Sequence, residues 1–110
     1  MLKIANLMEK LPADILAGYM HFSNIPESTW KNYFHQPLTV YTFNNLIYLI
    51  AADVRQVAVQ KTEEGEMYDT LKKGKELIYK LANIAELLGY KISEKELKLA
   101  QALLLGEGKV

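Results

Sequence analysis

Apolar positions at Ile4, Met8, Leu11, Ile15, Tyr19 and Phe22 recur every three or four residues, the spacing that keeps side chains on one face of an α-helix. Pro12 interrupts the stripe. Proline lacks a backbone donor and clashes with the preceding turn, so the pattern predicts two helices, or one kinked helix, with the second starting near Pro12. Ser23, Asn24 and Ile25 read as a loop. Pro26 at a first helical position, followed by Glu27, restarts a short helix that ends before Pro37 and carries Trp30, Tyr33 and Phe34 on one face.

Residues 38–43 are locally ambiguous, because Thr, Val, Tyr and Phe all favour extended backbone. From Asn44 onward the helical pattern is clear. Ile47, Ile50, Val54 and Val57 line one face while Asp53, Gln56 and Gln60 line another, which marks a central helix that emerges into solvent near Gln60. A polar connector at 61–66 follows. Met67, Leu71, Gly74, Ile78, Leu81, Ala85 and Leu88 then alternate spacings of four and three, a heptad seam that Leu77, Ile84 and Leu87 widen to the breadth of a bundle helix.

Gly89 is placed to end that helix in the left-handed conformation. Ser93 and Glu96 have the spacing of a capping box, and Ile92 with Leu97 that of a hydrophobic staple, so a last helix runs from Glu94 to about Leu105 and stops at Gly106. The expected fold is all-α: a single-domain helical bundle of about five to six helices spanning the 110 residues, with a C-terminal helical hairpin.

Charge changes the picture in two ways. No charged residue falls between 32 and 52, although 24% of the chain is Asp, Glu, Lys or Arg. The uninterrupted apolar run there is only residues 46–52, too short for the ~20 residues a bilayer helix needs, so burial in a core or a partner surface is expected and a membrane is not. The first residues have no apolar signal region, which points to a cytoplasmic protein. Thirteen basic and thirteen acidic residues cancel overall, yet nine of each lie beyond residue 60. Twelve of the basic residues are Lys, and such Lys/Glu enrichment without cysteine fits a thermophile.

Candidate chemistry is sparse. With no cysteine there is no disulfide, thiolate metal site or cysteine nucleophile. His21 and His35 fall on different predicted helices and form no metal-ligand spacing, and no glycine-rich phosphate loop or serine-nucleophile elbow occurs. No catalytic residue, metal or cofactor is expected. Glu63, Glu66 and Asp69 would share a face of an early-starting helix, as in magnesium-dependent all-helical nucleotide pyrophosphatases, but only Asp53 offers a facing carboxylate. A helix-turn-helix around Gly89 is disfavoured by Lys95 and Lys98, which stand where its second helix needs apolar residues.

Three groups of residues remain as site candidates. Lys72, Lys73, Lys75, Lys80, Lys91, Lys95 and Lys98 concentrate basic charge on the C-terminal hairpin, suited to a sequence-independent contact with nucleic-acid backbone. Arg55, the sole arginine, either pairs with Asp53 or makes a bidentate contact to phosphate or to a partner's carboxylate. Trp30, Tyr33, Phe34, Tyr41 and Phe43 belong to the aromatic-dense first half and are candidates for a protein interface, where large rings are enriched.

Taken together, the small size, helices throughout, Lys-bearing outer faces, absent catalytic motif and absent cysteine resemble the small all-helical subunit of archaeal multisubunit CRISPR effector complexes. That resemblance implies a non-catalytic subunit of a nucleic-acid-guided antiviral defence complex, which packs on neighbouring protein subunits and touches nucleic-acid backbone through Lys. The alternatives are a homodimeric helical protein of a virus or mobile element, assembled through the 67–88 seam, and a magnesium-dependent nucleotide hydrolase.

Overall fold

Local signals set the ends of most helices. The computed structural model describes residues 2–106, and among them the helices are α1 (Ile4–Met8), α2 (Ala13–Phe22), α3 (Glu27–His35), α4 (Val40–Val59), α5 (Glu64–Leu87) and α6 (Glu94–Leu105). Pro12 caps α2, so the stripe is broken into two helices as expected, and Pro26 likewise sits at the cap of α3, one residue ahead of its first turn.

The ambiguous 38–43 segment divides at Thr39. Before it the chain is extended, with Pro37 bridged antiparallel to Lys3 and hydrogen bonds from Ile4 N to Gln36 O at 2.9 Å and from Leu38 N to Leu2 O at 2.8 Å. After it α4 begins, because the Thr39 hydroxyl accepts from Thr42 N at 3.1 Å and the Thr42 hydroxyl accepts from Thr39 N at 2.8 Å. Two donors freed at the helix start are thereby satisfied.

Helix α4 is the axis of the molecule. Phe43, Leu46, Ile47, Ile50, Ala51, Asp53, Val54, Val57 and Ala58 are all buried along it. Each fully buried Leu, Ile or Phe contributes about 1.5–3 kcal/mol. The short 60–63 connection returns the chain as α5, which packs on α4 with Thr70, Gly74, Leu77, Ile78, Leu81, Ala82 and Ala85 inward. Gly74 permits the close approach: a Cβ there would lie 2.4 Å from Val54 Cγ1.

The 88–93 connection, with Gly89 at φ 90°, turns the chain into α6. Tyr48 reaches Glu96, and seven residues further along α4 Arg55 reaches Leu105, so α6 runs parallel to α4 and antiparallel to α5. Helices α1, α2 and α3 close the remaining side, with α1 on α3 and α5, and α2 on α5. The radius of gyration is 13.4 Å, against about 13 Å expected for a compact domain of this length.

Three expectations about packing need correction. Leu87 does not widen the α5 seam; it is 86% exposed, because it lies about 120° around the helix from Leu81, outside the arc through which Ala85 and Leu88 of the same turn meet the core. The buried core of the heptad seam, at Gly74, Ile78, Leu81 and Ala85, is already covered within the chain and is not free to pair with a second copy. Ser93 caps α6 by accepting from Glu96 N at 3.1 Å, but the Glu96 carboxylate accepts a hydrogen bond from the Tyr48 hydroxyl instead of closing the capping box.

Candidate nucleic-acid interface

Most of the aromatic density of the first half belongs to the core. Tyr19 is its centre, with edge-on contacts to Phe22 at 5.3 Å and to Trp30 at 5.8 Å between ring centroids, and Phe34 follows Trp30 at 6.0 Å. Trp30 is 4% exposed and Phe43 1%, so these two interface candidates are interior residues of the folded chain. Tyr33 and Phe34 are half-buried against the core. Only Tyr41 remains a surface ring, 81% exposed beside the exposed Val40.

Asp53 and Arg55 do not pair. Residues two apart project from opposite sides of a helix, and each has found a different partner. Buried Asp53 accepts from the Tyr19 hydroxyl at 2.7 Å, the Ser23 hydroxyl at 2.8 Å and Asn24 N at 3.0 Å, which fastens the end of α2 to α4. Arg55 donates from Nη1 to Leu105 O at 3.3 Å. Its guanidinium lies over Gly106, where φ is 76° and a Cβ would meet Arg55 Cζ at 2.6 Å. A cation at a helix C-terminus complements the freed carbonyls there. Arg55 therefore fixes the end of α6.

The seven candidate lysines are all exposed, but they do not form one surface. Lys73 pairs with Asp69 at 3.1 Å and borders the crevice between α2 and α5. Lys98 lies 3.9 Å from Glu94, and with Lys95 it lines a shallow depression on α6. Lys91 edges a separate crevice between α5 and the start of α6. Glu76 and Lys80, four apart on α5, do not pair within 4.0 Å among the described residues; Asp69 and Lys73, at the same spacing, do.

Lys72, Lys75 and Lys80 do come together. They line an open groove of about 870 Å³ along α5, with Leu71 and Asn83 on the same helix and Leu105 supplied by α6. Tyr68 and Tyr79 also line it, 69% and 39% exposed. At 100° per residue, Tyr68, Lys72, Lys75 and Tyr79 fall within a narrow arc of α5, and the two rings are roughly 16 Å apart along the axis. Glu76 is the one acid in the groove, on the side facing α2. Three lysines against one glutamate leave the groove positive. The carbonyl that Arg55 holds belongs to Leu105, so α4 positions the α6 wall of this groove.

The two tyrosines were absent from the sequence-derived candidates. Their signal was legible, since an 11-residue separation returns to the same helical face after three turns, but it lay outside the aromatic-dense half. Among the described residues no group of three His, Asp or Glu side chains comes together to hold a metal, and Asp53 is engaged as described above. His21 and His35 are both exposed. No helix of the described residues is long and apolar enough to cross a membrane.

The fold and groove define an all-α helical bundle with a basic, tyrosine-bearing surface on its longest helix. No family model, curated protein or solved structure matches the chain.

Proposed function

We propose that this protein is a non-catalytic helical subunit that contacts nucleic-acid backbone through the α5 groove. The observation that carries the reading is the gathering of Lys72, Lys75 and Lys80 around one groove, with none of the three in an ion pair within 4.0 Å among the described residues. Unpaired ammonium groups around one groove offer phosphates several partners without reading sequence. Lys73, Lys91, Lys95 and Lys98 do not line that groove and play at most a peripheral part. A multisubunit guided defence complex is the setting suggested by the sequence resemblance, with Tyr41 and Val40 as the exposed apolar contact for a protein neighbour.

Three phosphate contacts give a single strand a salt slope of about −2 in log K against log salt, or roughly a twentyfold loss of affinity between about 50 and 200 mM salt. Fluorescence anisotropy with labelled oligonucleotides measures this directly. The Lys72→Gln, Lys75→Gln, Lys80→Gln triple variant should flatten the slope and abolish most binding, whereas Lys95→Gln with Lys98→Gln should change little. Absence of binding to any nucleic acid at low salt would overturn the proposal, as would a triple variant that binds like the wild type.

A further inference from the structure

We infer that the α5 groove takes single-stranded nucleic acid in preference to duplex, because Tyr68 and Tyr79 present stacking surfaces to unpaired bases on either side of Lys72 and Lys75. This inference rests on the reading of the groove as a nucleic-acid contact and goes beyond it by naming the strand state and the groups that sense it. The two rings are the most exposed aromatics outside α4, and both stand in the one groove where three lysines gather. Lys72 and Lys75 lie between them on the same face, and Lys80 lies one residue beyond Tyr79.

The chemistry favours a single strand on two grounds. A paired and stacked base keeps its faces inside the duplex, so a tyrosine ring along this groove has no base face to stack on. An unpaired base can turn its face outward and cover a ring that otherwise stays in water, and this gain is largely independent of base identity. The groove floor matches such a ligand: Leu71 and Leu105 are apolar, Asn83 is a neutral amide, and the lysines stand around them. Glu76, the one acid lining the groove, would repel a phosphate held close to it. Removing the Glu76 charge, which stands among the three lysines, should therefore tighten binding.

Stacking of one base on one ring corresponds to about 5- to 150-fold in affinity. The test compares three labelled probes on the full chain: an oligo-dT strand, an abasic strand of the same length, and a duplex. The expected result is tightest binding to oligo-dT, with Tyr68→Ala and Tyr79→Ala each losing about 5- to 150-fold on that probe. Both variants should bind the abasic strand unchanged, Tyr68→Phe and Tyr79→Phe should retain binding, and Glu76→Gln should bind all three probes more tightly.

Equal wild-type affinity for oligo-dT and the abasic strand would overturn the inference without reference to any variant. If in that case the lysine variant still loses binding, the backbone contact stands and only the stacking role fails. If none of the three probes binds at low salt, both the inference and the underlying reading fail.

Discussion

Replacing Gly74 by Ala tests the close approach of α5 to α4 in the core. A Cβ at this position would lie 2.4 Å from Val54 Cγ1, 2.8 Å from Cγ2 and 3.0 Å from Cβ. Ordinary carbon contacts are about 3.5–4.0 Å, so the shortest of these is too close by more than 1 Å. Rotation of Val54 offers no escape, since its χ1 is stiff and its Cβ does not move. Helices α4 and α5 must separate, although Val54 and its surroundings are fully buried. Overpacking of this kind costs about 1–3 kcal/mol, and the upper end applies because backbone rather than a side chain has to yield. Alanine regains about 0.8–1.0 kcal/mol through its higher helix propensity. The net expectation is a loss of about 2 kcal/mol. At a urea dependence of about 2 kcal/mol/M, the unfolding midpoint should fall by roughly 1 M without a change in slope.

Urea titration followed by far-ultraviolet circular dichroism reads that shift. The companion variant Val54→Ala removes both offending methyls, and alone it should destabilise by opening a cavity. Combined with Gly74→Ala, it should leave the double variant about 1–2 kcal/mol more stable than the two single effects added together. A Gly74→Ala protein as stable as the wild type, or more stable by the propensity gain alone, would refute the proposed contact between α4 and α5.

Asp53→Ala strands the buried Tyr19 hydroxyl and Asn24 N, and should lower stability by about 3 kcal/mol, whereas Tyr19→Phe leaves the carboxylate two donors and should cost about half as much. Denaturant unfolding checks the order, and a near-neutral Asp53→Ala would refute the role of this carboxylate in fastening α2 to α4. Alkaline stability is a separate matter. Burial, reinforced by the Glu96 carboxylate that accepts its hydrogen bond, pushes the Tyr48 phenol up to about 12, and burial with Asp53 raises Tyr19 as well. A raised phenol pKa favours the neutral form in the fold, so this contribution is complete below pH about 10 and is lost as pH rises toward 12. Melting temperature followed between those values should fall less steeply in Tyr48→Phe than in the wild type; an unchanged slope would remove Tyr48 from the account.

How much was legible in the chain depends on how far each signal reaches. Pro12, Pro26, Ser93, Gly89 and Gly106 act within a turn of themselves, and the helix ends they imply are those observed to within a residue. The α5 seam was legible for the same reason, because periodicity assigns a face without knowledge of what covers it. Leu87 was misread because periodicity cannot say how wide an arc of the helix its neighbours cover, and Leu87 falls just outside it. Asp53 and Arg55 were misjudged by their nearness in sequence, although the 200° between them around the helix already separates them.

The sequence by itself determined that the fold is all-α, where most of its helices start and stop, and which positions hold charge. Caps, prolines and apolar spacing act locally, so these features need no knowledge of distant residues. Tertiary structure decided that Trp30 and Phe43 pack inside and that Arg55 holds the end of α6. It also decided that, of seven lysines, Lys72, Lys75 and Lys80 share a groove with Tyr68 and Tyr79. Those outcomes turn on which helix lies beside which, and burial is a property of the neighbours as much as of the residue.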